Sequence, residues 1–291
     1  MSPKSLVQNI QTLFSPPDVL LRVNRLISAP DTGTEELAQA ILCDPGLAAR
    51  LLKLVNSAYY GSRRRIETVS HAIVLLGHRE LHNLVTATVA VDMFQGLPSD
   101  QVNMDRFWRH SVTSGIAARG LAQRLRLRQG EHFFIAGLLH GVGKLVFYSQ
   151  YPDRYHEVLE RAGPSPQARI IAERQIFGFT YADLSAELLK SWRLLDQMHA
   201  AIAHHLEPGK ALDHRRDATI LNVAVQIADD VQPGAGDASP TARAEPDPER
   251  FAALAELLDL PTESLASLPA EIELHAKEIF EAIRPGATSV S

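Results

Sequence analysis

The sequence predicts an all-α protein built as two lobes of helices, and three observations carry that expectation. Apolar residues recur at spacings of three and four, and alternating strand patterns are scarce. Helix-start signals stand directly before several of these runs. Gly- and Pro-rich punctuation interrupts the helical pattern once near the first third of the chain and again over 232–248.

The elements follow in order. Thr32 and Glu35 have capping-box spacing ahead of Leu37, Ala38, Ile41 and Leu42. Asp44-Pro45 reads as an N-cap with proline at the first helical position, and Leu47, Leu51, Leu54 and Val55 then share a face. Thr68 to Leu76 reads as another helix, with Gly77 just past its end. Leu81, Leu84, Val85 and Thr88 continue a helical stripe. Residues 1–97 thus read as an N-terminal lobe of short helices, and Gly96-Leu97-Pro98-Ser99-Asp100 marks its boundary.

A second helical lobe is expected over 98–231. Trp108, Val112, Ile116, Leu121 and Leu125 trace a long helix. Phe133 to Phe147 is nearly continuous apolar sequence, interrupted by His140 and Lys144, and predicts one helix buried on most sides. Further helical segments are expected over Pro166–Phe177, Tyr181–Trp192, Met198–His205 and Ala218–Val231. Gln232 to Pro248 holds four prolines and two glycines and reads as a flexible loop. Over 249–291, C-terminal helices packing on the second lobe are expected. Asp247-Pro248 starts the first, with Phe251, Leu254, Leu257 and Leu258; the last carries Ile272, Ala276, Ile279, Phe280 and Ile283.

Composition narrows the function classes. Of 291 residues, 45% are hydrophobic and 22% charged, which are ordinary globular values. The net charge of −5 argues against general nucleic-acid binding, which needs a basic face to release counterions. Cys43 is the one cysteine, so no intrachain disulfide forms, as expected of a reducing compartment. No uncharged stretch approaches the ~20 apolar residues of a membrane span. The opening MSPKSLVQNIQ has no apolar core of a secretory signal. A cytoplasmic protein without membrane attachment is expected.

His110, His140, His204 and His205 lie in or beside apolar helical stretches, and Asp229 sits near the end of another. Imidazoles and a carboxylate gathered from several helices suit a divalent metal such as Fe, Mn or Zn. The plainer alternative is that each histidine is a core residue satisfied by one hydrogen bond. Neighbouring residues on a helix diverge by about 100°, so His204 and His205 cannot both face one centre within a helix. Ser62-Arg63-Arg64-Arg65, beside Tyr59 and Tyr60, is a candidate anion site, with a solvated loop as the alternative. Lys144 is a candidate anion contact near His140, with snorkelling to the surface as the alternative. Gly141-Val142-Gly143-Lys144 lacks P-loop spacing.

Several of these runs resemble a known family. LLHGVGKLV resembles the His-Asp signature of HD-superfamily phosphohydrolases. LAQAILCDPGLAARLLKLVNSAYYG, followed by IETVSHAIVLLG, is similar to the opening of the HDOD (HD-related output domain) family. FWRHS at 107–111 and AIAHHLEP at 201–208 fit the same family in the same order. The resemblance runs over roughly residues 12 to 210. It implies a helical lobe joined to a degenerate HD-type lobe, and a bacterial signalling or regulatory role without demonstrated catalysis.

This chain departs from the enzyme pattern at two positions. Gly141 stands where HD enzymes carry the aspartate, and Tyr181 stands in Gly178-Phe179-Thr180-Tyr181-Ala182 where related sequences often have histidine. Glycine cannot ligate, and a phenol ionising near pH 10 is a poor ligand. By resemblance His110, His140, one of His204 or His205, and Asp229 remain, enough for one divalent metal at best. Gly-Tyr-Pro, which marks the HD-GYP cyclic-di-GMP phosphodiesterases, is absent from the chain. The expectation is therefore a non-catalytic regulatory module needing no cofactor. It would act on signalling proteins through its former active-site cleft, or on a nucleotide held by Arg63, Arg64 and Arg65. The competing expectation is a metal-dependent phosphohydrolase of nucleotides or phosphate esters using His110, His140, His204 and Asp229.

Overall fold

In the computed structural model, residues 2–10, 17–29, 31–61, 65–94, 97, 102–127, 130–194, 196–232 and 248–285 are described. Among them the secondary structure is helical throughout. In chain order the helices are α1 (Pro3–Ile10), α2 (Asp18–Ser28), α3 (Thr34–Leu42), α4 (Pro45–Val55), α5 (Val69–Leu76) and α6 (His78–Met93). Then come α7 (Met104–Arg124), α8 (Glu131–Leu139), α9 (Val142–Gln150), α10 (Pro152–Ala162), α11 (Pro166–Phe177) and α12 (Tyr181–Ser191). The chain closes with α13 (Asp196–His204), α14 (Arg215–Val231), α15 (Pro248–Glu256), α16 (Glu263–Ala266) and α17 (Leu268–Ile283).

Local chemistry explains many of the boundaries. Asp44 caps α4 by accepting from Leu47 N at 2.9 Å, with Pro45 in the first turn. Thr68 caps α5 by accepting from His71 N. Such caps are typically worth about 1 kcal/mol each. Gly77 joins α5 to α6 with φ 83, a conformation that side chains rarely adopt. Thr32 is not the cap of α3. That role falls to Gly33, while the Thr32 hydroxyl donates to Leu26 O at the end of α2.

Packing divides the chain into two units. The larger comprises Met1–Thr12 and Gly96–Glu273, and the smaller Leu13–Gln95 and Leu274–Ser291. The sequence reading assigned both termini by chain order. Packing instead groups α1 with the second half, where it lies on α12, and puts the end of α17 with the first. Of the expected boundary, only Leu97 lies among the described residues. The loop expected over Gln232–Pro248 lies almost wholly outside them, as does Asp247.

In the smaller unit α3 packs on α2, α4 and α5, and α6 packs on α2, α4 and α5. Leu37, Ile41, Leu51, Val55, Leu81 and Leu84 are buried in its core. Full burial of such a side chain contributes roughly 1.5–3 kcal/mol. Asn56 ties the loop after α4 by donating to Ile66 O and accepting from Ile66 N, each at 2.7 Å.

In the larger unit α7 packs along α8 and α14. Glycine permits the first contact: a Cβ on Gly137 would lie 2.6 Å from Gly115 Cα, and one on Gly115 2.7 Å from Phe134 O. The apolar run 133–147 is two helices rather than the single one expected. α8 ends at Leu139 and α9 starts at Val142, with Gly141 as its N-cap. Hydropathy is blind to this break, because both helices are buried and the chain stays apolar through the corner. α9 then runs so close to α12 that a Cβ on Gly143 would lie 2.2 Å from Tyr181 O.

Candidate functional site

The corner between α8 and α9 places His140 at the wall of a cavity of about 200 Å³ in the larger unit. α7 contributes His110 and Ser111, α12 contributes Tyr181, and α14 contributes Asp229. His205, just past the end of α13, completes the histidine cluster. The His110 and His140 rings lie 5.6 Å apart between centroids, and those of His140 and His205 5.4 Å apart.

The hydrogen bonds fix which ring nitrogens carry protons. His140 Nδ1 donates to Gly137 O at 2.7 Å, and His205 Nδ1 donates to Ile202 O at 2.6 Å. In the neutral rings Nε2 is then the acceptor. His205 Nε2 accepts from the Tyr181 hydroxyl at 3.2 Å. His110 Nε2 faces Asp229 Oδ1 at 2.9 Å. A carboxylate only accepts, so His110 donates there.

Burial holds both inner rings neutral. His140 lies well below the usual histidine range, first through burial and then through the nearby His205, His110 and Lys144. Burial likewise lowers His205 to about 4. Burial pushes the Asp229 carboxyl up, but the bond and charge of His110, with Lys144 and Arg250, hold it below its ordinary value. Behind the cavity, Glu173 is fully buried and raised to about 7, although Tyr181 N and the Tyr155 hydroxyl both donate to it. Lys144 Nζ lies 4.4 Å from the centre of the Tyr181 ring.

The sequence-predicted residues divide accordingly. His110, His140, His205, Asp229 and Lys144 meet at one cavity. His204 does not line it, so it is His205 that faces the cluster, in place of the His204 expected in the metal set. His204 closes α13, and the next position turns inward. Arg65 is exposed on a separate cleft in the smaller unit, beside Lys53 and Glu278, and Arg63 and Arg64 lie outside the described residues. Sequence reasoning missed Ser111, Arg169 and Glu173. The first adjoins His110, and nothing in the local sequence signals the other two.

The donor set does not fit the metal that the HD resemblance would bring. Among the described residues no group of three or more His, Cys, Asp or Glu side chains is placed to hold one. His205 Nε2 is occupied by the Tyr181 hydroxyl, and His110 Nε2 by Asp229. Phe107 crowds the position of the missing aspartate: a Cβ on Gly141 would meet its ring edge at 3.3 Å.

Comparison with known proteins places this geometry. An uncharacterized protein of Treponema pallidum (strain Nichols) is 28% identical over 206 residues, 69% of this chain and 39% of the relative. The chain thus spans about two fifths of that relative's length. A candidate phosphohydrolase from Shewanella amazonensis SB2B superposes with a TM-score of 0.77 at 24% identity, covering 96% of this chain and 98% of that one. A candidate signal transduction protein from Marinobacter aquaeolei VT8 gives 0.65 at 22% identity, covering 94% and 60%. At such identities the likeness establishes the fold. The profile of the HDOD domain matches residues 13–208, two thirds of the chain and the whole histidine cluster except Asp229, and the chain belongs to the HDOD domain family.

Proposed function

We propose that the chain is a regulatory module that works by binding rather than by turnover, with the histidine-lined cavity as the part that senses state. One observation carries this reading: three imidazoles converge, yet two of their Nε2 atoms are closed by Tyr181 and Asp229. The carboxylate that would bridge metals in an HD enzyme is a glycine, and a Cβ there would meet the Phe107 ring edge at 3.3 Å. A signalling role also agrees with the name of the Marinobacter relative. Partner and ligand engage the module in a reducing, cytoplasmic setting, without membrane insertion. Among the described residues no helix is long and apolar enough to cross a membrane.

The second reading, metal-dependent phosphoester hydrolysis, is favoured by the convergence of His110, His140 and His205 and by the name of the Shewanella relative. Turnover separates the two. Purified protein is assayed on a chromogenic phosphate monoester and diester with added Mn²⁺ or Fe²⁺, beside His140→Ala. A binding module shows no turnover above the metal-only background in either protein. Turnover that His140→Ala abolishes overturns the regulatory reading.

A further inference from the structure

Between α4 and α5 the chain passes through residues 65–67, a short segment outside any helix. One side chain fixes its conformation. The Asn56 amide donates to Ile66 O and accepts from Ile66 N, each at 2.7 Å. A single amide meets both groups of one residue only where the backbone is extended, because only there do that residue's N–H and C=O point to the same side. Burial alternates as it does in a strand: Ile66 is 2% exposed, while Arg65 and Glu67 on either side of it are exposed.

The same alternation sends the backbone N–H and C=O of Arg65 and Glu67 to the opposite edge, away from Asn56. Among the described residues neither makes a hydrogen bond there, and neither side chain has an ion-pair partner. An unpaired extended edge is a template for another strand.

The charges on this edge select the partner. Natural edges are commonly guarded by charged side chains, which repel a second copy when the charges are alike. Here the charges are opposite and two residues apart. When Arg65-Ile66-Glu67 pairs antiparallel with itself about a two-fold axis at Ile66, Arg65 of each copy stands opposite Glu67 of the other. These are the hydrogen-bonded pairs of the ladder, each exchanging both of its backbone bonds. Ile66 meets Ile66 as the non-hydrogen-bonded pair, whose N–H and C=O point outward, where Asn56 already holds them. A slip of two residues sets Arg65 against Arg65 or Glu67 against Glu67. A slip of one turns the engaged groups of Ile66 toward the partner.

We propose that the chain associates with a second copy of itself through this edge, as an antiparallel two-fold pair with Arg65 opposite Glu67. Such an interface is isologous, so it closes as a dimer and does not propagate. The ladder is short, so association is weak and reversible, in the class of contacts below about 1,200 Å². The proposal uses residues of the smaller unit alone and is independent of the reading of the histidine-lined cavity.

The test is sedimentation velocity of the full chain at low salt, where exposed ion pairs are least screened. A range from about 5 µM to about 0.5 mM brackets the weak affinities such a contact supports. The expected result is a mean mass that climbs with concentration from one chain toward two. Arg65→Glu and Glu67→Arg each set like charges opposite one another at both pairs, and each weakens association at least about tenfold. The exchanged double variant, Arg65→Glu with Glu67→Arg, restores it to within about threefold of wild type. The two single variants, mixed one to one, associate with each other, because unlike charges again stand opposite at both pairs. Both positions are exposed, so the substitutions leave the core intact.

A chain that stays monomeric throughout this range overturns the proposal and leaves the edge to a strand of another protein. Association that persists undiminished in either single variant, or that the exchanged double variant fails to restore, places the contact elsewhere and overturns it equally. None of these outcomes bears on turnover, on which the regulatory reading stands or falls.

Discussion

Substitution of Gly143 by alanine is the sharpest perturbation of the site's scaffold. The added Cβ would lie 2.2 Å from Tyr181 O, 2.8 Å from Ser185 N and 2.9 Å from Ser185 Oγ. Two of these are backbone atoms of α12, so no rotamer change relieves the clash. Reaching ordinary contact needs α9 and α12 to part by roughly 1.2 Å. Overpacking of this kind costs about 1–3 kcal/mol. Parting the helices also breaks the Gly143 N–H bond to Ser185 Oγ, now 2.8 Å, for about another 1 kcal/mol. Alanine's better helix propensity returns about 1 kcal/mol at most. The net loss is about 1–3 kcal/mol, which lowers Tm by roughly 2–12 °C for a protein of this size. Gly141→Ala is the control. Its Cβ meets only the edge of Phe107 at 3.3 Å, a side chain able to yield, and the expected cost is under about 1 kcal/mol. Thermal unfolding followed by circular dichroism measures both variants. A Gly143→Ala protein as stable as wild type, or a Gly141→Ala protein hurt equally, would refute the close α9–α12 contact.

Three further outcomes follow from the same geometry. Tyr181→Phe strands His205 Nε2 as a buried acceptor and should cost about 1–3 kcal/mol in urea unfolding, against no loss if the hydroxyl bond is absent. Arg124 in α7 donates to both Glu271 carboxylate oxygens and to Ser267. Arg124→Ala should therefore destabilise by about 1–3 kcal/mol and speed proteolysis near 264–271, whereas an unchanged cleavage rate would contradict that tether. The pH dependence of stability has opposing parts. His82 and His205, each lowered to about 4 by burial, stay neutral in the fold and bind protons mainly when unfolded. Their stabilising contribution is lost as pH falls from 6.5 toward 4. Glu173, raised to about 7, holds its proton in the fold while the unfolded chain releases it above 4.5. Its contribution runs the other way, lost as pH rises from 4.5 to 7. Glu173→Gln should consequently steepen the acid loss of stability, by up to about 1.4 kcal/mol per pH unit; an unchanged slope would remove Glu173 from this balance.

Much of the helical order was legible because it is written in local chemistry. The caps at Asp44 and Thr68 and the span Pro166–Phe177 follow from side-chain acceptors, proline at the first turn and a trailing Gly178. What the sequence hid depends on contacts between distant segments. The α8–α9 corner is invisible to hydropathy because both helices are buried, and only the approach of Tyr181 explains Gly143. The sequence narrowed the histidine pair to one inward residue, but its choice of His204 for the metal set failed because one further position past α13 turns the ring inward. Thr32 and Glu35 had the right spacing for a capping box, yet the Thr32 hydroxyl answers Leu26 O. The missing aspartate at 141 was plain from the residues. That Phe107 crowds its place, and that Glu173 is a fully buried carboxyl, required the fold.

The central claim is that the cluster, with His110 Nε2 engaged by Asp229 and His205 Nε2 by the Tyr181 hydroxyl, is not a metal centre. Elemental analysis of untagged protein, purified without chelator beside His140→Ala, tests it directly. That account predicts Fe, Mn and Zn far below one per chain, and no difference between the two proteins. Near-stoichiometric metal that disappears in His140→Ala would contradict it.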